Sequence, residues 1–75
     1  MGELTYEYLG VEYRTVRAFE VKCDGVCVAG GVDCTDENGS ITIRIHGYHS
    51  HLKNKINALF AGIRGVKEVV FSNPL

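Results

Sequence analysis

Apolar and polar residues alternate along most of this chain with the period of strands, and only one segment carries the period of a helix. Leu4, Tyr6 and Tyr8 share one side with Val11 and Tyr13, and Thr5 and Glu7 share the other. A two-residue turn at Leu9-Gly10 pairs Tyr8 with Val11 and Tyr6 with Tyr13 as an aromatic ladder, and sets Glu7 opposite Glu12. Phe19, Val21 and Cys23 then alternate with Glu20 and Lys22 before Asp24-Gly25, the dipeptide a type I′ hairpin turn prefers. That turn predicts Cys23 facing Val26 and Val21 facing Val28, with Cys27 beside Lys22 on the other face. Gly30-Gly31 is expected to bend or end the strand. Residues 33–40 read as a polar loop with turn chemistry at Asn38-Gly39. Ile41, Ile43 and Ile45 alternate with Thr42, Arg44 and His46 as a further strand.

Leu52, Ile56, Leu59, Phe60 and Ile63 fall on one face of a 3.6-residue period, which predicts a helix over 50–62. Ser50 is its expected N-cap and Gly62 its expected stop. Val66 to Phe71 is rich in β-branched and aromatic residues and closes the pattern as a last strand. The order is β-β-β-β-α-β. It predicts an α+β fold of two layers, a mainly antiparallel sheet of about five strands with one helix on one face, ending in a right-handed βαβ crossover. One helix covers one face, so the other is expected to be wet or covered by a partner or a second copy.

Seventy-five residues hold one small domain spanning 1–75, with limited burial and a net stability of a few kcal/mol. The balance of 45% hydrophobic and 23% charged residues is that of a folded chain. No run is long and apolar enough for a bilayer and no leader is evident, so a cytoplasmic protein without membrane contact is expected. Cys23, Cys27 and Cys34 are an odd set, which fits reduced thiols better than a disulfide framework. The net charge of −1 hides a division: residues 1–40 carry eight acids against three bases, and residues 41–75 five bases against one acid.

His46, His49 and His51 lie within six residues, but His49 and His51 diverge on a helix and no zinc spacing accompanies them. No metal and no cofactor is expected. The loop Gly47-Tyr48-His49-Ser50 enters the helix, and its N–H groups with Lys53 suit an anion. Arg44, His49, Ser50, Lys53, Lys55, Arg64 and Lys67 are the candidates for a nucleic-acid or anion surface. Tyr6, Tyr8, Tyr13 and Tyr48 are the candidates for a protein-docking patch, because tyrosine pairs an apolar body with a polar tip. No nucleophile elbow or telling carboxylate pair is present, so no enzyme and no catalytic residue is expected.

The tail Ile56-x-x-Leu59 followed by Gly65-Val66-x-x-Val69-x-Phe71 resembles the last helix and strand of heavy-metal-associated domains. Tyr48-His49-Ser50-His51 stands where that family carries its paired cysteines, so its function does not carry over. The Gly-Val ending is also similar to that of BON domains, which have no place for the strand at Ile41–His46. Each likeness covers under half the chain and assigns no family. The expected function is a small regulatory module that docks on another protein, with a homodimer in view. An accessory or inhibitor protein of phages or other mobile elements is the type expected. The alternative is a nucleic-acid-binding module using the basic side of the helix, and the third an anion- or metal-binding protein.

Overall fold

A computed structural model describes residues 6–8 and 11–75, with side chains from residue 14 onward. Two short strands, β1 (Tyr6–Tyr8) and β2 (Val11–Tyr13), form a separate antiparallel pair. The main sheet has four strands, β3 (Thr15–Cys23), β4 (Val26–Thr35), β5 (Ile41–His46) and β6 (Val66–Phe71), in that spatial order. Its first three strands are antiparallel, whereas β6 runs parallel to β5. Between them lie a 3-10 turn at Ser50–Leu52 and the helix α1 (Lys53–Ala61). The molecule is thus α+β with one helix, but the single sheet of about five strands is corrected to four plus a two-stranded hairpin. The chain breaks its alternation at Arg14, whose N–H bonds the Thr35 carbonyl at 2.8 Å.

The first hairpin has the expected register, Tyr6 opposite Tyr13, Glu7 opposite Glu12 and Tyr8 opposite Val11. Its turn at Leu9-Gly10 lies outside the described residues. In the second hairpin Asp24 and Gly25 take φ of 52° and 80°, as a type I′ turn requires. Cys23 faces Val26 and Lys22 faces Cys27. Val21, however, pairs with Ala29 rather than Val28, because a bulge between Val21 and Lys22 leaves Val28 as the extra residue of β4.

Gly30 and Gly31 neither bend nor end β4, which runs through them. A Cβ built on Gly31 would lie 2.3 Å from Cζ of Phe19, its cross-strand neighbour, and one on Gly30 would lie 2.5 Å from Nε2 of His46. Two aromatic rings therefore lean over the glycines, and the missing side chains are filled from the flanking strands. Asp33, Cys34 and Thr35 also belong to β4, since they pair with β3 on one side and β5 on the other. The loop shrinks to 36–40, where the Asp36 carboxylate Oδ1 accepts from the N–H groups of Asn38 (2.9 Å) and Ser40 (3.0 Å).

The core between helix and sheet gathers Val21, Ala29, Ile43, Ile45, Tyr48 and Ile56. Tyr48 is corrected from a docking candidate to a core residue: it is buried, and its ring meets Phe71 edge-on at 5.1 Å between centroids. Gly47, at φ 62°, turns the chain inward there. The tail then holds the turn, with Gly47 N–H bonded to the Asn73 carbonyl (3.0 Å) and Leu75 N–H to the Tyr48 carbonyl (2.8 Å).

Ser50 is not the helix N-cap. The extended His49 enters the 3-10 turn and makes no side-chain cap bond, and Leu52 N–H bonds the His49 carbonyl at 2.9 Å. Gly62 does follow the last helical residue, but at φ −94°; the left-handed position is Gly65 at 93°, whose carbonyl accepts from Ile41 N–H.

The face away from the helix is not bare. Val32, Cys34 and Thr42 are buried there by the chain itself, with Val16 packed beside them. β1 lies against β3.

Candidate functional site

The helix packs beside β6 and covers β3 only in part, where Val21 shares the core with Ile56 and Phe19 meets Phe60. Of the five residues of the apolar stripe, which runs from the 3-10 turn through α1 to Ile63, only Ile56 is buried; Leu52 and Phe60 are half-buried, and Leu59 and Ile63 remain 54% and 48% exposed. The stripe is wider than the surface it covers. Between α1 and β3 this leaves an apolar groove, bridged at one point by the rings of Phe19 and Phe60 at 5.7 Å.

On one side of the bridge lies a cleft of about 410 Å³ walled by Phe19, Ile41, Ile43, Phe60, Ile63 and Val66. Arg17 and Asp33, cross-strand partners on β3 and β4, stand at its edge with Arg17 donating to Asp33 Oδ2 at 3.5 Å. Asp33 Oδ1 is buried and accepts no hydrogen bond. A carboxylate oxygen withdrawn from water favours any donor brought into the cleft. The Arg17 side chain is 79% exposed, so its pair with Asp33 is a weak, exchangeable contact. On the other side of the bridge a smaller cleft of about 230 Å³ is lined by Val21, Val28, Leu52 and Ile56 with Lys22, Asp24 and Lys55 at its rim.

The basic candidates do not converge on one patch. Arg44 points from β5 to the face away from the helix, where its guanidinium lies beside Cys34. Lys53 stands over the Phe71 ring at 5.4 Å, and Lys55 is exposed on the helix. Arg64 follows the other end of α1, roughly 15 Å along the axis from Lys53. Lys67 faces Asp36 at 4.0 Å. His49 and Ser50 are exposed at the helix entrance, the His49 and His51 rings 5.7 Å apart. The Gly47 N–H of that loop is already engaged by Asn73. Among the described residues no three of His, Cys, Asp and Glu are grouped to hold a metal ion. The side chains of Tyr6, Tyr8 and Tyr13 lie outside the described residues.

The three thiols are free and differ in access: Cys27 is exposed, Cys23 half-buried and Cys34 fully buried. Burial pushes the Cys34 thiol up, opposed by the Arg44 guanidinium beside it. A thiol that holds its proton more tightly when folded adds stability below the unfolded value, and that stability is lost as pH rises through the folded one. The urea midpoint is therefore expected to fall as pH rises above the ordinary cysteine value of about 8.5, and Cys34→Ala should flatten that fall. An equal fall in both proteins would assign it to other groups.

The cleft residues Arg17, Phe19, Asp33, Phe60 and Ile63 carry no motif, and the sequence signal for them is indirect. The helix stripe is broad enough to outrun one sheet edge, and the glycine pair sits where a strand should continue. No helix among the described residues is long and apolar enough to cross a membrane. No family model, curated protein or solved structure matches the chain.

Proposed function

We propose that this chain is a non-catalytic docking module that receives an apolar segment of a partner protein in the groove between α1 and β3. The observation that carries the reading is the cleft itself. Apolar walls meet the edge residue Asp33, whose buried carboxylate oxygen has no donor, and exposed Ile63 stands along the cleft. Burying such side chains on a partner is favourable by about 25 cal/mol per Å², and Asp33 Oδ1 would fix the segment's orientation by accepting one N–H. An apolar site with one well-placed acceptor is the ordinary design of a recognition surface.

The test is capture from a lysate on immobilised protein, with and without nuclease, for the wild type and two variants. Ile63→Asp places a charge on the cleft rim at an exposed position, so the fold is retained and recovery of the partner is expected to fall about tenfold or more. Lys53→Glu with Lys55→Glu should leave recovery unchanged. Recovery lost with nuclease or with the lysine variant would instead favour nucleic-acid binding through the helix, and would also show a steep salt dependence.

A further inference from the structure

β3 is the edge of the four-stranded sheet, and although β1 lies against it, no described strand is hydrogen-bonded to its outer side. It is nine residues long, contains no proline, and its own backbone is regular, the bulge residue being Val28 of β4. Such an edge offers a row of unpaired N–H and C=O groups to another strand. Charged side chains usually blunt it, and β3 carries two on its outer half, Glu20 and Lys22, on the face away from the helix. They lie 3.9 Å apart and are 65% and 59% exposed.

From this edge we infer that β3 pairs antiparallel with β3 of a second copy, in the register that centres on Val21. In an antiparallel pair, directly opposed residues share a face, so a two-fold axis normal to the sheet must pass midway between the two copies of one residue. Centring on Glu20 opposes two glutamates, and centring on Lys22 opposes two lysines. Centring on Phe19 sets Ala18 against Glu20 and Val16 against Lys22. Centring on Val21 places Glu20 opposite Lys22 of the second copy, and the reverse, forming two reciprocal cross-strand ion pairs. The charges that would repel a foreign strand thus favour a second copy, in this register over those centred on Phe19, Glu20 or Lys22.

The product is a continuous eight-stranded sheet with both helices on the same side. One helix covers too little of a four-stranded sheet, and pairing at β3 sets the two uncovered grooves side by side. The exposed Leu59 of each copy then borders a shared apolar trough floored by the two β3 strands. This inference rests on the strand edge and stands apart from the docking reading.

Sedimentation of the full chain from about 10 μM to about 1 mM tests it, because weak edge pairing lies in that range of dissociation constants. The wild type is expected to form dimers. Glu20→Lys and Lys22→Glu each convert both ion pairs to like-charge contacts and should weaken association about tenfold or more. Mixing those two variants in equal amounts recreates both opposite-charge pairs, as does the double exchange within one chain, so dimers should return in each case. A wild type that stays monomeric overturns the inference. So do single variants that associate like the wild type, or a mixture that fails to recover. Recovery on mixing also excludes misfolding as the cause of the single-variant effect.

Discussion

Ile45→Ala is expected to cost about 2–5 kcal/mol of the stability of the fold. Ile45 is fully buried on β5, an inner strand, between Gly31 on β4 and Phe71 on β6. Removing three carbons there leaves a cavity inside the core, walled on one side by β4, which ladders hold on both sides, so little collapse can fill it. A chain of this length has a total stability of about 4–11 kcal/mol, so the loss is a large share of the whole. Urea titration should show a lowered midpoint with an unchanged slope, and heating a drop in Tm on the order of 10–30 °C. Ile63→Ala, on the exposed rim, should stay within about 0.5 kcal/mol of wild type. If the two substitutions cost the same, the core does not lie where Ile45, Ile43 and Ile56 meet.

The contrast between these isoleucines also marks what could be read in the sequence. Strand period, turn dipeptide and helix stripe are local properties, and they locate β3 to β6, the Asp24-Gly25 turn and α1 within a few residues. Gly30 and Gly31 were misleading because their role is not local. They read as breakers until Phe19 and His46, eleven or more residues away, fill the space above them. Tyr48 misled for the same reason: a tyrosine after a strand looks solvent-facing until the tail residues Asn73 and Leu75 hold the turn that points it inward. The polar run Asp33-Cys34-Thr35 looks like a loop, yet β4 is an inner strand with ladders on both sides.

The candidate site was less legible than the fold. Its walls come from β3, β5, α1 and β6, and its carboxylate from β4, so no stretch of sequence carries it. What creates it is incomplete cover, since one helix buries Val21, Ala29, Ile43 and Ile45 but leaves the rest of β3 open, and incomplete cover has no period. The excess width of the apolar stripe is the trace it leaves. Basic residues that are near in sequence, Arg44 and Lys53 among them, are separated by the sheet itself, because adjacent positions of β5 point to opposite faces.

The glycine pair supplies the second large effect, and it connects stability to the cleft. Gly31→Ala puts a methyl where the Phe19 ring now lies, 2.3 Å from Cζ. Phe19 is half-buried and leans on Phe60 at an interplanar angle of 54°, so to yield it must leave the ring contact that bridges the groove. A loss of about 1–3 kcal/mol is expected, together with loss of partner capture, since the ring is a wall of the larger cleft. Gly30→Ala meets an equally close atom, His46 Nε2 at 2.5 Å, but the His46 side chain is exposed and can swing into water. The loss there should stay within about 0.5 kcal/mol, because alanine also reduces the backbone freedom of the unfolded chain. Phe19→Leu in the Gly31→Ala background should recover part of the stability but not the capture, and the double-mutant cycle isolates the ring–methyl conflict. Equal losses at the two glycines, with no coupling to Phe19, would mean that the strand needs glycine for its backbone. Unequal losses coupled to Phe19 would show that β4 carries glycine to seat the ring that bridges the groove.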